Sequence, residues 1–542
     1  MTVVSSATGS VPSSFPPTVE AGDKTSQAKM TAYTCTTFQG MKKLDLQAKN
    51  LNDLATLPPD TSVQVLDVGR NPEIKDLNAL KTWEGLRILF AAALDQVEDF
   101  PFELVSSVPS LYMLAMRHCG LRALQLVPAA SLVQPSPVLY NLTWLTLTNN
   151  RIEALPSEFG KTFRSVRKLL LTGNRLKALP PSFPPALELV RLSDNQIREL
   201  PSAFFDDCPK LAWTAFSGNP LPWLVEGQGC DVTQQVSGTT VTASSASLEN
   251  GAKKALPLLD LEKDLCLKYL PDRDIYVYTD SADSHDSEAK VLGGGASGVV
   301  LQSKLRTSDQ VVAVKIFKAG VTTDGDSRHE LNILRRIGSA TELCETTIQP
   351  LGLVADSSGK HVIGVVTSLL ENYIPLGQTP SMASITRDVF ESASLFAVSS
   401  TRDIVSICRD IAKAGAFLRT RNLFHGDMYA HNIICKRVME KNSSDSVAHA
   451  VLTDYGAAFA VADDADAKLL SRFEMLELRA WTNLAEDLYW SWSEKRGGSA
   501  KVEDEVGKLK KLVDWVRTGE IRQFSSLLAT FAQEFGNQLV AG

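Results

Sequence analysis

Residues 423–436 read LFHGDMYAHNIICK. Within this stretch a histidine, a carboxylate two positions later and an amide five beyond that (His425, Asp427, Asn432) stand between two segments of opposite periodicity. The preceding run, STRDIVSICRDIAKAGAFLRTRNLF (400–424), carries Ile404, Ile407, Ile411 and Leu418 at helical spacing. The chain therefore enters the loop from a long amphipathic helix and leaves it through the short apolar run NIIC.

On the far side, AVLTDYGAAFA (450–460) brings a second carboxylate, Asp454, to the end of a short strand and follows it with Gly456. Upstream, VLGGGASGVVLQSKL (291–305) sets Gly293, Gly295 and Gly298 between two β-prone runs. Glycines at that spacing let main-chain amides approach a polyphosphate without obstruction by Cβ atoms. The strand VVAVKIFK (311–318) follows with Lys315, and SRHELNILRRI (327–337) then predicts a helix that is apolar at Leu331, Ile333, Leu334 and Ile337, with Glu330 near its start. HVIGVVTSLLENY (361–373) reads as a buried strand ending at Thr367.

The order Gly-rich turn, Lys315, Glu330, H-x-D-x-x-x-x-N and D-x-G is a compound signal, far more specific than any member alone. Residues 290–490 thereby resemble a protein kinase domain, and the HGD form of the loop resembles one found in a compact subgroup of leucine-rich-repeat kinases. That resemblance implies ATP and Mg²⁺ as cofactors. It implies that Gly293, Gly295, Gly298 and Lys315 hold the nucleotide, with Thr367 beside the adenine. It further implies that Glu330 fixes Lys315, Asn432 and Asp454 hold the metal, and Asp427 accepts the proton of a substrate hydroxyl. A serine/threonine-directed protein kinase is the expected activity. A small-molecule phosphotransferase, whose loops also take the HGD form, and a nucleotide-binding pseudokinase scaffold are the alternatives.

Three positions depart from the kinase pattern. Gly426 replaces the arginine that in many kinases binds a phosphorylated activation loop. Tyr429 stands where serine/threonine kinases usually carry a lysine that contacts the γ-phosphate. No A-P-E follows Asp454, and Glu477 falls in the place of an aspartate of a following helix.

The N-terminal part repeats. LTWLTLTNNRIEALPSEF (142–159), VRKLLLTGNRLKALPPSF (166–183) and LELVRLSDNQIRELPSAF (187–204) superpose on L-x-x-L-x-L-x-x-N-x-L-x-x-L-P, the leucine-rich-repeat frame. The asparagine slot falls at Lys49, Asn71, Asp95, Cys119, Asn150, Asn174, Asn195 and Asn219, in steps of 22, 24, 24, 31, 24, 21 and 24 residues. The long step holds an inserted loop. Each unit supplies a short strand whose apolar residues close a core only against its neighbours. Solvent-facing strand positions such as Trp144, Arg167, Lys168 and Arg191 are the expected contact points for a protein partner.

The whole chain resembles leucine-rich-repeat kinases that lack a membrane span. The expected fold is an α/β leucine-rich-repeat solenoid followed by an α+β bilobal protein-kinase-like domain. Its divisions are a disordered leader (1–30), the solenoid (31–224), a flexible linker (225–255) and the kinase-like domain (256–542). The expected partners are a protein substrate and a protein on the repeat array.

Composition agrees with globular domains, with 44% apolar and 22% charged residues over 542 positions. A net charge of −7, evenly spread, gives no basic surface for nucleic acid or an anionic membrane. No run approaches the ~18 apolar residues of a membrane span. The eight cysteines are scattered without metal-ligand spacing, as expected of reduced thiols in a cytoplasmic protein.

Overall fold

The computed structural model describes residues 35–124, 139–225, 256–279, 287–295, 297–318, 322–339, 342–390, 398–439, 446–495 and 504–536. The expected leader and nearly all of the expected linker lie outside them.

The repeated segments build one nine-stranded sheet with strands in sequence order: β1 (Cys35–Phe38), β2 (Met41–Asp45), β3 (Val65–Asp67), β4 (Ile88–Phe90), β5 (Met113–Ala115), β6 (Trp144–Thr146), β7 (Lys168–Leu170), β8 (Leu189–Arg191) and β9 (Trp213–Ala215). β1 pairs antiparallel with β2, and every later neighbour is parallel in unbroken register. Strands of three residues expose two side chains on one face and one on the other. The single central residue, Leu66, Leu89, Leu114, Leu145, Leu169 and Val190 in turn, enters the interior core.

The slot residues explain the period. Asn174 donates to the carbonyls of Leu147 and Leu171 and accepts from the Ile152 amide, so it ties its own turn to the preceding unit. Asn150, Asn195 and Asn219 repeat the pattern, as does Asn71, all of them buried. Each satisfies main-chain groups that burial would otherwise leave unpaired. Cys119, in the same slot, donates its thiol to the Ala91 carbonyl.

The second half begins with a six-stranded sheet ordered Leu258–Leu259, Pro350–Ala355, Val362–Ser368, Val311–Phe317, Gly298–Lys304, Val291–Gly294. The helix Ser327–Gly338 starts from an Asp326 cap and buries Leu331, Ile333, Leu334 and Ile337. A helical part follows, formed by Thr401–Arg419, Ala467–Lys495, Asp504–Thr518 and Phe524–Phe535 around the hairpin of Ile433–Met439 with Ser446–Leu452. Thr401–Arg419 begins with a capping box in which Ser400 and Asp403 satisfy each other's main-chain amides. Among the described residues no helix is long and apolar enough to cross a membrane.

The two halves share their cores. The repeat interior continues through Phe216 and Trp223 into Phe424, Phe459 and Phe473 of the second half, whose rings meet at 4.9–6.2 Å. The strand positions expected to face solvent do not all do so. Trp144 is 8% exposed and Arg191 3%, because segments 322–325, 379–388 and 425–431 of the second half cover that face of the sheet.

Candidate active site

Lys315 lies inside the Val311–Phe317 strand, directly opposite Val365 across the antiparallel ladder, and its Nζ sits 2.6 Å and 2.8 Å from the two Glu330 oxygens. Glu330 occupies the first turn of its helix and is almost wholly buried. Burial opposes the Lys315 charge, but Glu330 and then Asp454 overcome it, so the ammonium is held protonated above its usual range.

Gly293 and Gly295 stand at the open end of the sheet. A Cβ at either would meet no described atom within 4 Å, so packing does not demand glycine there. Gly298 differs: its Cβ would fall 2.4 Å from the Ile316 carbonyl, so close strand pairing accounts for it. Thr367 joins the group only through the main-chain ladder, opposite Ala313.

The loop 425–432 is built around a buried histidine. His425 Nε2 lies 2.9 Å from the Thr453 carbonyl, and Nδ1 accepts from the Asp427 amide at 3.3 Å. One nitrogen must then donate and the other accept, which assigns a neutral ring. Burial lowers the His425 pKa in the same sense. Glu477, from the Ala467–Lys495 helix, accepts the amides of His425 and Gly426 at 3.1 Å and 2.8 Å. Burial pushes its carboxyl up to about 7 against the pull of those two donors.

Asn432 donates from Nδ2 to the Asp427 carbonyl and to Asp427 Oδ2, both at 2.9 Å, which leaves its Oδ1 for another partner. Asp454, in left-handed backbone at φ 53°, exposes its carboxylate while Tyr455 packs fully inside, 4.9 Å from the His425 ring. Asp427, Asn432 and exposed Asp454 are oxygen donors of the kind a hard cation takes with phosphate and water. Among the described residues no three His, Cys, Asp or Glu side chains form a metal cage by themselves.

Several residues of this site belong to the repeat sheet, and the motif order did not point to them. Arg191 of β8 reaches the loop with its whole guanidinium. Nε lies 2.7 Å from Asp324 Oδ1, Nη1 donates to the Gly426 carbonyl at 3.2 Å, and Nη2 bonds Asp427 Oδ1. Burial works against the Asp427 charge, but Arg191, ahead of His431, holds the carboxyl below its usual range. Trp213 of β9 stacks on Tyr429 at 4.2 Å and 9°, and its indole donates to the Met428 carbonyl at 3.4 Å. The sequence signal for it is Arg191 itself, the only basic residue in a strand row that runs Asp45, Asp67, Phe90, Ala115, Thr146, Leu170, Arg191 and Ala215.

Gly426 also has a structural cause. It sits at φ 71°, its carbonyl accepts the Thr214 amide at 2.9 Å, and a Cβ would fall 2.3 Å from the Thr214 carbonyl. Only glycine lets β9 pass this close to the loop.

A cleft of about 510 Å³ runs along the covered face of the repeat sheet from Gln47 to Arg191 and ends at Asp427 and Tyr429. Lys168 lies in it, 4.0 Å above the Trp144 ring, and burial, followed by the Arg191 charge, brings its pKa down to about 8.

In comparisons with known proteins, residues 287–475 match the family described as protein tyrosine and serine/threonine kinase. That span runs from the strand before the Gly-rich turn to the first turns of the Ala467–Lys495 helix. No curated protein matches the chain.

Proposed function

We propose that this protein is an ATP- and Mg²⁺-dependent protein kinase directed at serine or threonine hydroxyls, acting in the cytoplasm, whose leucine-rich-repeat array packs against the catalytic loop. One observation carries the reading: the Lys315–Glu330 pair and the Asp427–Asn432 pair occur together in a domain that matches the kinase family. The two pairs do complementary work. Glu330 orients Lys315 toward the nucleotide phosphates, while Asn432 and exposed Asp454 offer oxygens to Mg²⁺. A Mg²⁺ held by those oxygens would neutralise charge on the transferring phosphoryl group.

Asp427 is fixed by Asn432 with lone pairs to spare. It takes the acceptor hydroxyl proton as the oxygen–phosphorus bond forms and the bond to the β–γ bridging oxygen breaks. The buried, unpaired cysteines of the described residues suit a reducing compartment.

The covered catalytic loop favours a second reading. A cleft near 510 Å³ lies within the usual size of small-molecule sites, so a compact alcohol is the alternative acceptor. Labelled ATP separates the two. Wild type is expected to place γ-phosphate on protein, and Asp427→Asn to lose at least ~100-fold of that rate. Lys315→Met is expected to abolish stabilisation by ATP-Mg²⁺ in a thermal shift. Labelling of added polyols or amino alcohols without labelled protein would replace the first reading by the second.

A further inference from the structure

The repeat sheet does more than cover the catalytic loop. Position 429 carries no cation, and its tyrosine stacks on Trp213. The neighbouring strand, β8, delivers a guanidinium to the same loop. We propose that Arg191 is a positioning residue of the active site, which holds Asp427 in its working orientation from the repeat array. The inference rests on the kinase reading.

Three features support it. First, Arg191 uses all three nitrogens. Its fork is therefore held in one pose between Asp324, Gly426 and Asp427, which lysine's single ammonium does not reproduce. Second, Asp324 precedes the helix that carries Glu330, so Arg191 ties the Lys315–Glu330 half of the site to the Asp427 half. His329 Nε2, 3.3 Å from Asp194 Oδ1, adds a second tie between that helix and the array. Third, the arrangement leaves Asp427 able to act. Arg191 bonds Oδ1 and Asn432 bonds Oδ2, one partner for each oxygen, and a carboxylate offers about four lone-pair sites.

The closeness of the contact has a sequence consequence. Glycine at 426 and an aromatic at 429 are what β9 requires to dock, and docking of β9 brings β8 within reach of Asp427. The two departures from the kinase loop and the presence of Arg191 are then one structural unit.

The test compares full-length wild type, Arg191→Ala, Arg191→Lys and Asp427→Asn in steady-state transfer from ATP, with melting temperature and ATP-Mg²⁺ thermal shift measured on each. For Arg191→Ala the expected result is a kcat lower by about 100-fold or more, a KM for ATP within a few-fold of wild type and a retained ATP-Mg²⁺ shift. Arg191→Lys should recover part of kcat, and guanidinium ion at non-denaturing concentration should recover part of it in Arg191→Ala. Activity equal to or above wild type in Arg191→Ala would overturn the inference and identify the array as a brake. Loss of the ATP-Mg²⁺ shift with no recovery by lysine or guanidinium would overturn it in favour of a purely structural contact. Absence of Asp427-dependent transfer in wild type would fell the kinase reading, and the inference with it; the other two outcomes leave that reading standing.

Discussion

Lys168 shows how a single residue reports the covering of the repeat sheet. Its ammonium sits over Trp144 in the cleft with a pKa brought down to about 8 by burial and by Arg191, whereas in an unfolded chain it titrates near 10.4. A base with a depressed folded pKa contributes stability above its unfolded pKa, and that contribution is lost as pH falls through the folded value. At pH 7 the folded protein therefore carries a charge it holds at a cost, offset in part by the ring beneath it. Lys168→Met is expected to be more stable than wild type by roughly 1–3 kcal/mol at pH 7, with the gain shrinking as pH rises from 8 toward 10. Urea unfolding at pH 7 and pH 9.5 checks this, and a gain independent of pH would refute it. Gly426 and Tyr429 change meaning at this scale too. Both read as losses within a kinase loop, yet each is shaped by a contact with Thr214 or Trp213.

Among the elements, the helix Ala467–Lys495 fixes the loop 425–432 and β9 fills the space beside it. The chain passes from Gly456 to Ala467 with only the short strand Phe459–Ala460, which pairs with Leu423–Phe424. Beside this segment the end of the repeat array supplies main-chain partners, with Val225 donating to Ala460 at 2.9 Å and Ala462 to Trp223 at 2.8 Å. Glu477 anchors the loop from below through two amides on separate oxygens. Glu477→Gln turns one acceptor into a donor that faces an N–H, an unmet buried donor worth about 1–3 kcal/mol. The variant should lose that much stability in urea and also transfer more slowly, because the loop that holds Asp427 loosens. Unchanged stability in Glu477→Gln would show that the two amides are satisfied in some other way. The expected helices within 400–424 and 327–337 are readable because their apolar spacing is local, and the first of them ends at Arg419. The role of Glu477 was visible only as a position, since its two bonds span more than fifty residues.

Across the whole molecule the repeat sheet and the kinase-matching part form one packed body. Phe424, Phe459 and Phe473 lie against Phe216 and Trp223, and Arg191 and Trp213 close the other side. A protein made of residues 256–542 alone would expose those rings and leave Asp427 without its guanidinium. It is expected to aggregate or lose its ATP-Mg²⁺ shift, whereas the full chain should melt in a single calorimetric transition. A soluble, nucleotide-stabilised 256–542 fragment would show the two cores to be independent. By itself, the order of residues determined the repeat period, the slot asparagines, the main strands and helices, the Lys315–Glu330 pair and the placing of Asp427 and Asn432 in one loop. Each of these depends on spacing along the chain or on a motif whose members are ordered along it. The tertiary structure alone decided that Arg191 meets Asp427 and Asp324, that Tyr429 lies on Trp213, and that the outer face of the sheet is covered. Those contacts join residues separated by 133 to 236 positions, counted from Arg191 to Asp324 and to Asp427, and no local periodicity encodes a pairing at that distance.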